Sequence, residues 1–296
     1  MIDYERKYTY FMESWVWLVL FYGLVKGVRE ILKKQALKKS SASEMLFFYT
    51  LISFLITIPF SHGIFDIHTK YYFIIAIKSF VIFLGWMMSA YALKRLPVSI
   101  YSVVDMGQLI FSTLLGVIFV REVMGAFQVL GLLVVALALF LVNFKKDGDG
   151  GEVRTVYVLV TLLYCLLNST SGLMDKLILR TGEINSSQLQ FWYMLYLTVF
   201  YGANLLLSRT RVDFAVLKKN YAIPVMSVLF VAADRALFIA NSNPDSRVTV
   251  MSIIKQSSVV VAVLLGRIVF REKNILYRLF CALLVIVGIL ITFIKM

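Results

Sequence analysis

Charged residues are scarce in this chain. They make up only 16% of its 296 residues, whereas a soluble domain carries about 25%. Hydrophobic residues make up 60%, and the mean hydropathy is +0.83. One globular core cannot bury so much apolar surface, because the surface-to-volume ratio of a compact domain limits burial. The composition therefore excludes a soluble enzyme and a disordered chain, and it leaves an integral membrane protein.

Cysteine and histidine are nearly absent, which excludes further classes. Cys165 and Cys281 stand inside apolar runs, which is typical of packing residues and not of a disulfide framework. His62 and His68 share one short polar connection, and no other histidine is available for a zinc site or a catalytic triad. The sequence also has no P-loop and no HExxH motif. We therefore expect no metal, no cofactor and no catalytic residues.

Long apolar runs occupy most of the chain. A membrane-spanning helix needs about 20 apolar residues, and a barrel strand needs about 10 in strict alternation, so these runs predict helices. We predict an all-α integral membrane protein with ten transmembrane helices and short connections. The predicted spans are Ser14–Leu32, Met45–Ser61, Tyr71–Leu93, Val98–Val120, Val123–Phe144, Val153–Leu179, Ser187–Leu207, Tyr221–Ala240, Val248–Phe270 and Ile275–Ile294.

The most polar segment of the chain, residues 145–152, lies at its midpoint. Its charged residues and glycines cannot enter hydrocarbon, so it predicts a linker between two halves. We therefore divide the chain into an N-terminal tail (1–13), a first five-helix repeat (14–144), the linker, and a second five-helix repeat (153–296).

The two halves share a motif. The fourth span ends in LLGVIFVRE (114–122), and the ninth ends in LLGRIVFRE (264–272). A proline, Pro97 or Pro244, precedes each segment. Because each repeat has an odd number of spans, the two copies insert with opposite orientation. Secondary transporters use this inverted-repeat design and place their site at the repeat interface.

This pattern resembles the EamA-type transporters of the drug/metabolite transporter superfamily. The matching residues are Gly116, Glu122 and Gly131 in the first half, Gly266, Glu272 and Gly288 in the second, and the segment Leu96-Pro97-Val98-Ser99. The resemblance covers nearly the whole chain. It implies a ten-helix transporter of small metabolites, in a family whose members carry several classes of solute.

Ionisable residues at membrane depth are the candidates for the site. Each costs at least about 2.5–3.5 kcal/mol at a helix centre, so such residues normally face a bundle interior or a wet cavity. When the repeats are aligned on Gly116 and Gly266, Asp105 and Lys255 occupy equivalent positions. We expect both to line a central cavity and to bind opposite ends of a polar or zwitterionic solute. The alternative is a buried ion pair that joins two helices.

Other candidates follow polar stripes at helical spacing. The predicted substrate-binding residues are Tyr22, Lys26, Lys78, Trp86, Tyr101, Asp105, Gln108, Asp234, Lys255 and Gln256. Glu30, Asp105 and Asp234 are candidates for proton coupling, because buried carboxylates near lysines can titrate in a useful range. Lys26 and Glu30 could instead pair within their helix. Asp175 and Lys176 stand close to a helix end, where interfacial anchoring is expected.

The spans contain slightly more basic than acidic residues, which favours a solute with a carboxylate or a phosphate. We predict a secondary active transporter that moves a small polar metabolite, an amino acid or a related zwitterion or anion, across the cell membrane by alternating access. Its expected partners are the substrate and membrane lipids, without nucleic acid, and a monomer is compatible with the pattern. The alternatives are a channel, a non-transporting membrane protein, a transporter of organic cations or drugs, and an intramembrane enzyme or chromophore protein with a Schiff base on Lys255.

Overall fold

A computed structural model describes residues 14–60, 63–122, 124–144, 155–208, 217, 219–270 and 275–292. Its regular elements are all helices over those residues. The predicted tail and linker lie outside the described residues. The helices are α1 (Ser14–Lys39), α2 (Ala42–Thr57), α3 (Thr69–Arg95), α4 (Val98–Asp105), α5 (Gly107–Leu115), α6 (Ala126–Phe144), α7 (Thr155–Arg180), α8 (Ser186–Leu207), α9 (Ala222–Ser242), α10 (Val248–Ile254), α11 (Ser257–Phe270) and α12 (Ile275–Thr292).

These helices form a multi-pass membrane protein. Six stretches of the described chain are long and apolar enough to cross a membrane: Ala42–Phe60, Thr69–Arg95, Ile100–Val120, Thr155–Arg180, Ala222–Ser242 and Val248–Phe270. α6 and α12 contain shorter apolar stretches. Large apolar side chains such as Phe73, Leu133 and Ile268 are exposed on the outside of the bundle, as expected where helices face lipid.

Equivalent pairs of helices join the two repeats. α1 packs against α9, and α7 packs against α3. The Asn220 side chain, just before α9, donates to the Ala36 carbonyl near the end of α1 at 2.9 Å. The Tyr71 hydroxyl, at the start of α3, donates to Thr181 just after α7 at 3.1 Å. Both pairs are therefore antiparallel, and the second repeat reproduces the contacts of the first.

The fourth and ninth spans are each broken near their middle. α4 ends at Asp105 and α5 begins at Gly107, while Lys255 and Gln256 separate α10 from α11. α4 packs against α11, and α5 packs against α10. Since the first part of each span lies beside the second part of the other, the two broken spans are antiparallel. This arrangement confirms the all-α fold of two inverted repeats. Both predicted spans are found as single apolar stretches, Ile100–Val120 and Val248–Phe270, and each contains a short break that the sequence analysis did not predict.

The shared motif joins the repeats. The Glu122 carboxylate, at the end of the first copy, accepts hydrogen bonds from the backbone N–H groups of Val248 (2.7 Å) and Thr249 (3.0 Å). These groups open α10, where backbone donors lack partners within the helix. A Cβ on Gly116 would lie 3.2 Å from the Glu122 carboxylate, so this position favours glycine. Glu272 of the second copy lies outside the described residues.

α6 and α12, the last helices of the two repeats, pack against each other. A Cβ on Gly288 would lie 2.9 Å from the Gly131 carbonyl and 2.8 Å from Val135. The two motif glycines therefore allow close contact between these helices. None of the described residues of α6 and α12 lines the cavity at the centre of the bundle.

Candidate functional site

A central cavity lies between the two repeats. α1, α2, α3 and α5 line it from the first repeat, and α7, α8, α9 and α10 line it from the second. It contains about 1080 Å³ of space, part of which is open to the outside. Its described charged residues are four cations and three carboxylates: Lys26, Arg29, Lys33, Lys255, Glu30, Asp175 and Asp234.

Lys26 is neutralised by a carboxylate from the broken fourth span. Its ammonium lies 2.6 Å from the Asp105 carboxylate, and both side chains are at least nine-tenths buried. The Gln108 side chain donates to the other Asp105 oxygen, and the Asn168 amide donates to Gln108 at 2.5 Å. Asp105 and Gln108 thus lie behind Lys26 and do not line the cavity. The pairing of Lys26 with Glu30 suggested by their spacing is not formed.

A second buried pair joins the repeats. The Lys78 ammonium lies 2.8 Å from the Asp175 carboxylate and 3.4 Å from the centre of the Tyr193 ring. Asp175 lines the cavity, whereas Lys78 lies behind it. The predicted interfacial anchoring of Asp175 and Lys176 is wrong, because both side chains are buried. The antiparallel packing of α7 against α3 covers this end of α7.

Five charged residues of the cavity have no ion pair within the described chain: Arg29, Lys33, Lys255, Glu30 and Asp234. The Arg29 guanidinium makes only a 3.4 Å hydrogen bond, to the Tyr49 hydroxyl, and its Nε has no partner there. The Lys255 ammonium lies 5.7 Å from the centre of the Tyr22 ring. One carboxylate oxygen each of Glu30 and Asp234 is buried without a hydrogen bond from a described residue. Opposite charges therefore face this space without binding each other.

Aromatic side chains form one wall of the cavity. The ring centres of Tyr49, Trp86 and Phe230 lie 5.3 to 5.6 Å apart, and Tyr193 lies 6.3 Å from Trp86. The Arg29 guanidinium lies 4.7 Å from the centre of the Phe230 ring. Such ring edges and faces provide an apolar surface that also favours a cation.

The structure thus contains two inverted repeats around a charged cavity. Comparison with known proteins tests the resemblance to the EamA-type transporters. Residues 13–144 match the EamA-like transporter family. The resemblance is thereby confirmed for the first half of the chain, and it indicates a membrane transporter of the drug/metabolite transporter superfamily.

A solved structure shares the fold of this chain over both repeats. A protein of known crystal structure superimposes with a TM-score of 0.68 at 12% identity, over 92% of this chain and 97% of the other. At this identity the likeness concerns the fold alone. No curated protein sequence matches the chain.

The fold brings some of the predicted site residues to the cavity. Tyr22, Lys26, Trp86, Asp234 and Lys255 line it, as does the coupling candidate Glu30. Lys78, Tyr101, Asp105, Gln108 and Gln256 do not line it. The Tyr101 hydroxyl bonds to the Ser89 hydroxyl, and the Gln256 amide donates to the Ser252 carbonyl at 3.0 Å. The binding and coupling roles of all these residues stay predictions.

Sequence reasoning missed Arg29 and three aromatic residues, Tyr49, Tyr193 and Phe230. Arg29 could have been found, because it follows Tyr22 and Lys26 at spacings of seven and three residues and so shares their helix face. The aromatic residues had no such signal. The sequence has 23 phenylalanines and 16 tyrosines, and only the packing of α2, α8 and α9 selects these three.

Proposed function

We propose that this protein is a secondary active transporter that carries a small zwitterionic or anionic metabolite, such as an amino acid, across the cell membrane by alternating access. The observation that carries the proposal is the cavity between two inverted repeats, lined by charges that are not paired with each other. Transporters with inverted repeats bind their solute at this interface, and the repeats move around it.

The charges of the cavity favour a solute that carries both signs. An unpaired buried charge costs several kcal/mol in a real protein, so a solute that neutralises it is bound favourably. Arg29 offers a planar guanidinium that suits a carboxylate, and Lys255 offers a second cation. Asp234 and Glu30 offer acceptors for an ammonium group. In this scheme Asp105 acts through Lys26, whose ammonium it holds in place.

A transporter of organic cations is the second candidate, favoured by the aromatic wall next to Asp234. Cations bind to aromatic faces, and a carboxylate adds to the attraction. However, the protein's own cations already lie against two of these rings, Arg29 against Phe230 and Lys78 against Tyr193. This occupation favours the zwitterion over the cation.

A thermal-shift panel on the purified protein distinguishes these functions. A ligand that binds only the folded state raises its apparent stability. The panel contains neutral amino acids, small dicarboxylates, sugar phosphates and quaternary ammonium compounds. We expect stabilisation by members of the first two classes, which Arg29→Gln removes and Lys94→Met, at an exposed position, does not. In the thermal-shift panel, stabilisation by quaternary ammonium compounds alone would support the cation transporter instead.

Flux measurements in liposomes complete the test. The stabilising solute should show saturable uptake, because a carrier binds its solute in each cycle. Flux that rises linearly with concentration over the full range would contradict a carrier and favour a channel.

A further inference from the structure

The Lys176 side chain, which comes from α7, binds the connection between the end of α9 and the start of α10. It stands near the end of α7, and its ammonium donates to the carbonyls of Asn241 (3.0 Å) and Asn243 (2.9 Å) and to the Ser246 hydroxyl (2.6 Å). The Lys176 side chain is buried, with 3% exposure. A lysine of the first helix of the second repeat thus holds the junction between the third and fourth spans.

Lys34 makes the equivalent contacts in the first repeat. It stands near the end of α1, and its ammonium donates to the Leu93 carbonyl (2.6 Å) and to the Leu96 carbonyl. Leu93 and Leu96 lie at the junction between α3 and α4. Lys34 and Lys176 therefore bind the same junction of their respective repeats.

The two junctions share a local cause. Leu96 and Asn243 each end a helix in an extended conformation, and each is followed by a proline, Pro97 or Pro244. A proline disfavours the helical conformation in the residue before it and has no N–H group of its own. The last carbonyls of the helix thus lack partners. A lysine ammonium satisfies them and also interacts favourably with the helix C-terminus.

The two contacts lie at opposite ends of the bundle. The end of α1 meets the start of α9, where the Asn220 side chain bonds to Ala36. α9 has 21 residues and is therefore about 30 Å long. Lys34 lies at the end of the bundle where α9 starts, and Lys176 binds the carbonyl of Asn241 at the other end, where α9 finishes.

We propose that Lys34 and Lys176 are matched gate clamps, each of which restrains the opening of one end of the cavity by holding the junction that leads into a broken span. The inference rests on the proposed function, because a carrier must open one end while the other stays closed. Asn241 and Val248, on either side of the Lys176 junction, line the cavity, so release of this clamp would free a part of its wall. Release of Lys34 would free the start of α4, which belongs to the same broken span as the cavity residue Ser112.

One-sided cysteine labelling tests the clamps. Ser252, a cavity residue, is replaced by cysteine in a chain that carries Cys165→Ser and Cys281→Ser. A membrane-impermeant maleimide is then applied to one face of reconstituted vesicles at a time. We expect Lys176→Met to accelerate labelling several-fold from the face where α9 ends, and Lys34→Met to accelerate it from the opposite face.

Controls separate gating from a general loss of stability. Lys94→Met should label as the parent does, and Lys34→Arg and Lys176→Arg should restore most of the parent behaviour, because arginine also donates to carbonyls. Equal acceleration from both faces, or no change with either methionine variant, would overturn the clamps. The labelling needs no solute, so it tests the clamps separately from the proposed function. If the two methionine variants accelerate labelling from opposite faces but no member of the panel stabilises the protein, the result supports the clamps and contradicts the proposed function.

Discussion

At the scale of single residues, the cavity contains two kinds of charge. Lys26 and Asp175 each have a buried partner, Asp105 and Lys78, which lies outside the cavity lining. Arg29 and Lys255 have no carboxylate partner within the described chain. This difference predicts different consequences of mutation, because removal of one member of a buried pair leaves a charge unpaired, whereas removal of an unpaired charge does not.

Asp105→Asn should destabilise the protein strongly. The substitution leaves the Lys26 ammonium buried without a counter-charge, and broken buried pairs cost about 3–5 kcal/mol. Unfolding in detergent measures the loss. The double variant Lys26→Met/Asp105→Asn should recover much of it, because no unpaired charge remains. If the two single losses simply add in the double variant, the pair is not coupled. Lys70→Met, at the exposed pair with Glu183, serves as the control, with little expected change.

Lys255→Met should affect binding and not stability. Lys255 has no ion pair within the described residues, so its replacement by an apolar side chain should leave the unfolding temperature unchanged or raise it. The affinity for a solute from the thermal-shift panel should fall at least about tenfold, the effect of a loss of 1.4 kcal/mol. Titration of the solute on the purified variant checks this. Unchanged affinity at full stability would remove Lys255 from the binding site.

At the scale of helices, the breaks in the fourth and ninth spans position the site. The breaks follow Asp105 and include Lys255, the two residues that the repeat alignment makes equivalent. A break exposes backbone polar groups at membrane depth, which is tolerated only where they are buried in protein or line a cavity. α6 and α12, which do not line the cavity, form an outer pair that packs through Gly131 and Gly288.

Gly288→Ala should therefore weaken the fold without changing the site. The new Cβ would lie 2.8 Å from Val135 and 2.9 Å from the Gly131 carbonyl, so the two helices must move apart. Overpacking of this kind costs about 1–3 kcal/mol, and the solute affinity should be unchanged because these helices do not line the cavity. Gly172→Ala in α7, where no atom lies within 4 Å of the new Cβ, should instead be neutral or stabilise by up to about 1 kcal/mol. Chemical or thermal unfolding measures the stability of both variants. An equal loss of stability in the two variants would contradict the prediction.

At the scale of the whole molecule, the inverted repeats make the two ends of the bundle equivalent. The Glu122 carboxylate binds the start of α10, so the first repeat holds the broken span of the second. Lys34 and Lys176 act within their own repeats, at opposite ends. In the proposed mechanism, movement of one repeat against the other would exchange an open end for a closed one without a change in the fold of either.

Coupling to protons belongs to this scale. A carboxylate in the cavity can carry a proton across only if the whole protein exposes it to both faces in turn. We expect uptake of the stabilising solute into liposomes to rise with an imposed pH gradient, and Asp234→Asn at matched incorporation to abolish that dependence. Indifference of the parent protein to the gradient would rule out proton coupling. If uptake by Asp234→Asn still depends on the pH gradient, Glu30 becomes the candidate for the proton-carrying carboxylate.

The sequence predicts much of the fold because its determinants are local. Each apolar run is long enough to be a span by itself, and the LLGxxxxRE motif recurs at a fixed place in each half. The positions of the breaks were not predictable in this way. No proline stands at Met106 or at Lys255 and Gln256. The polar residues at the breaks, such as Asp105 and Lys255, fit the polar stripe of an unbroken helix equally well.

The sequence by itself determined that the protein spans a membrane, that it consists of two halves, and that a few charges interrupt its helices. The thickness of the bilayer sets the length of each apolar run, and the cost of a buried charge makes each interruption stand out, so these properties can be recognised without knowledge of the packing. Only the tertiary structure decided which charges meet. Lys26 binds Asp105, 79 residues away, and not Glu30 one helical turn away, because the packing of α1 beside the broken fourth span brings that carboxylate within 2.6 Å. The same packing left Arg29, Asp234 and Lys255 to face the cavity unpaired, and there we expect the solute to bind.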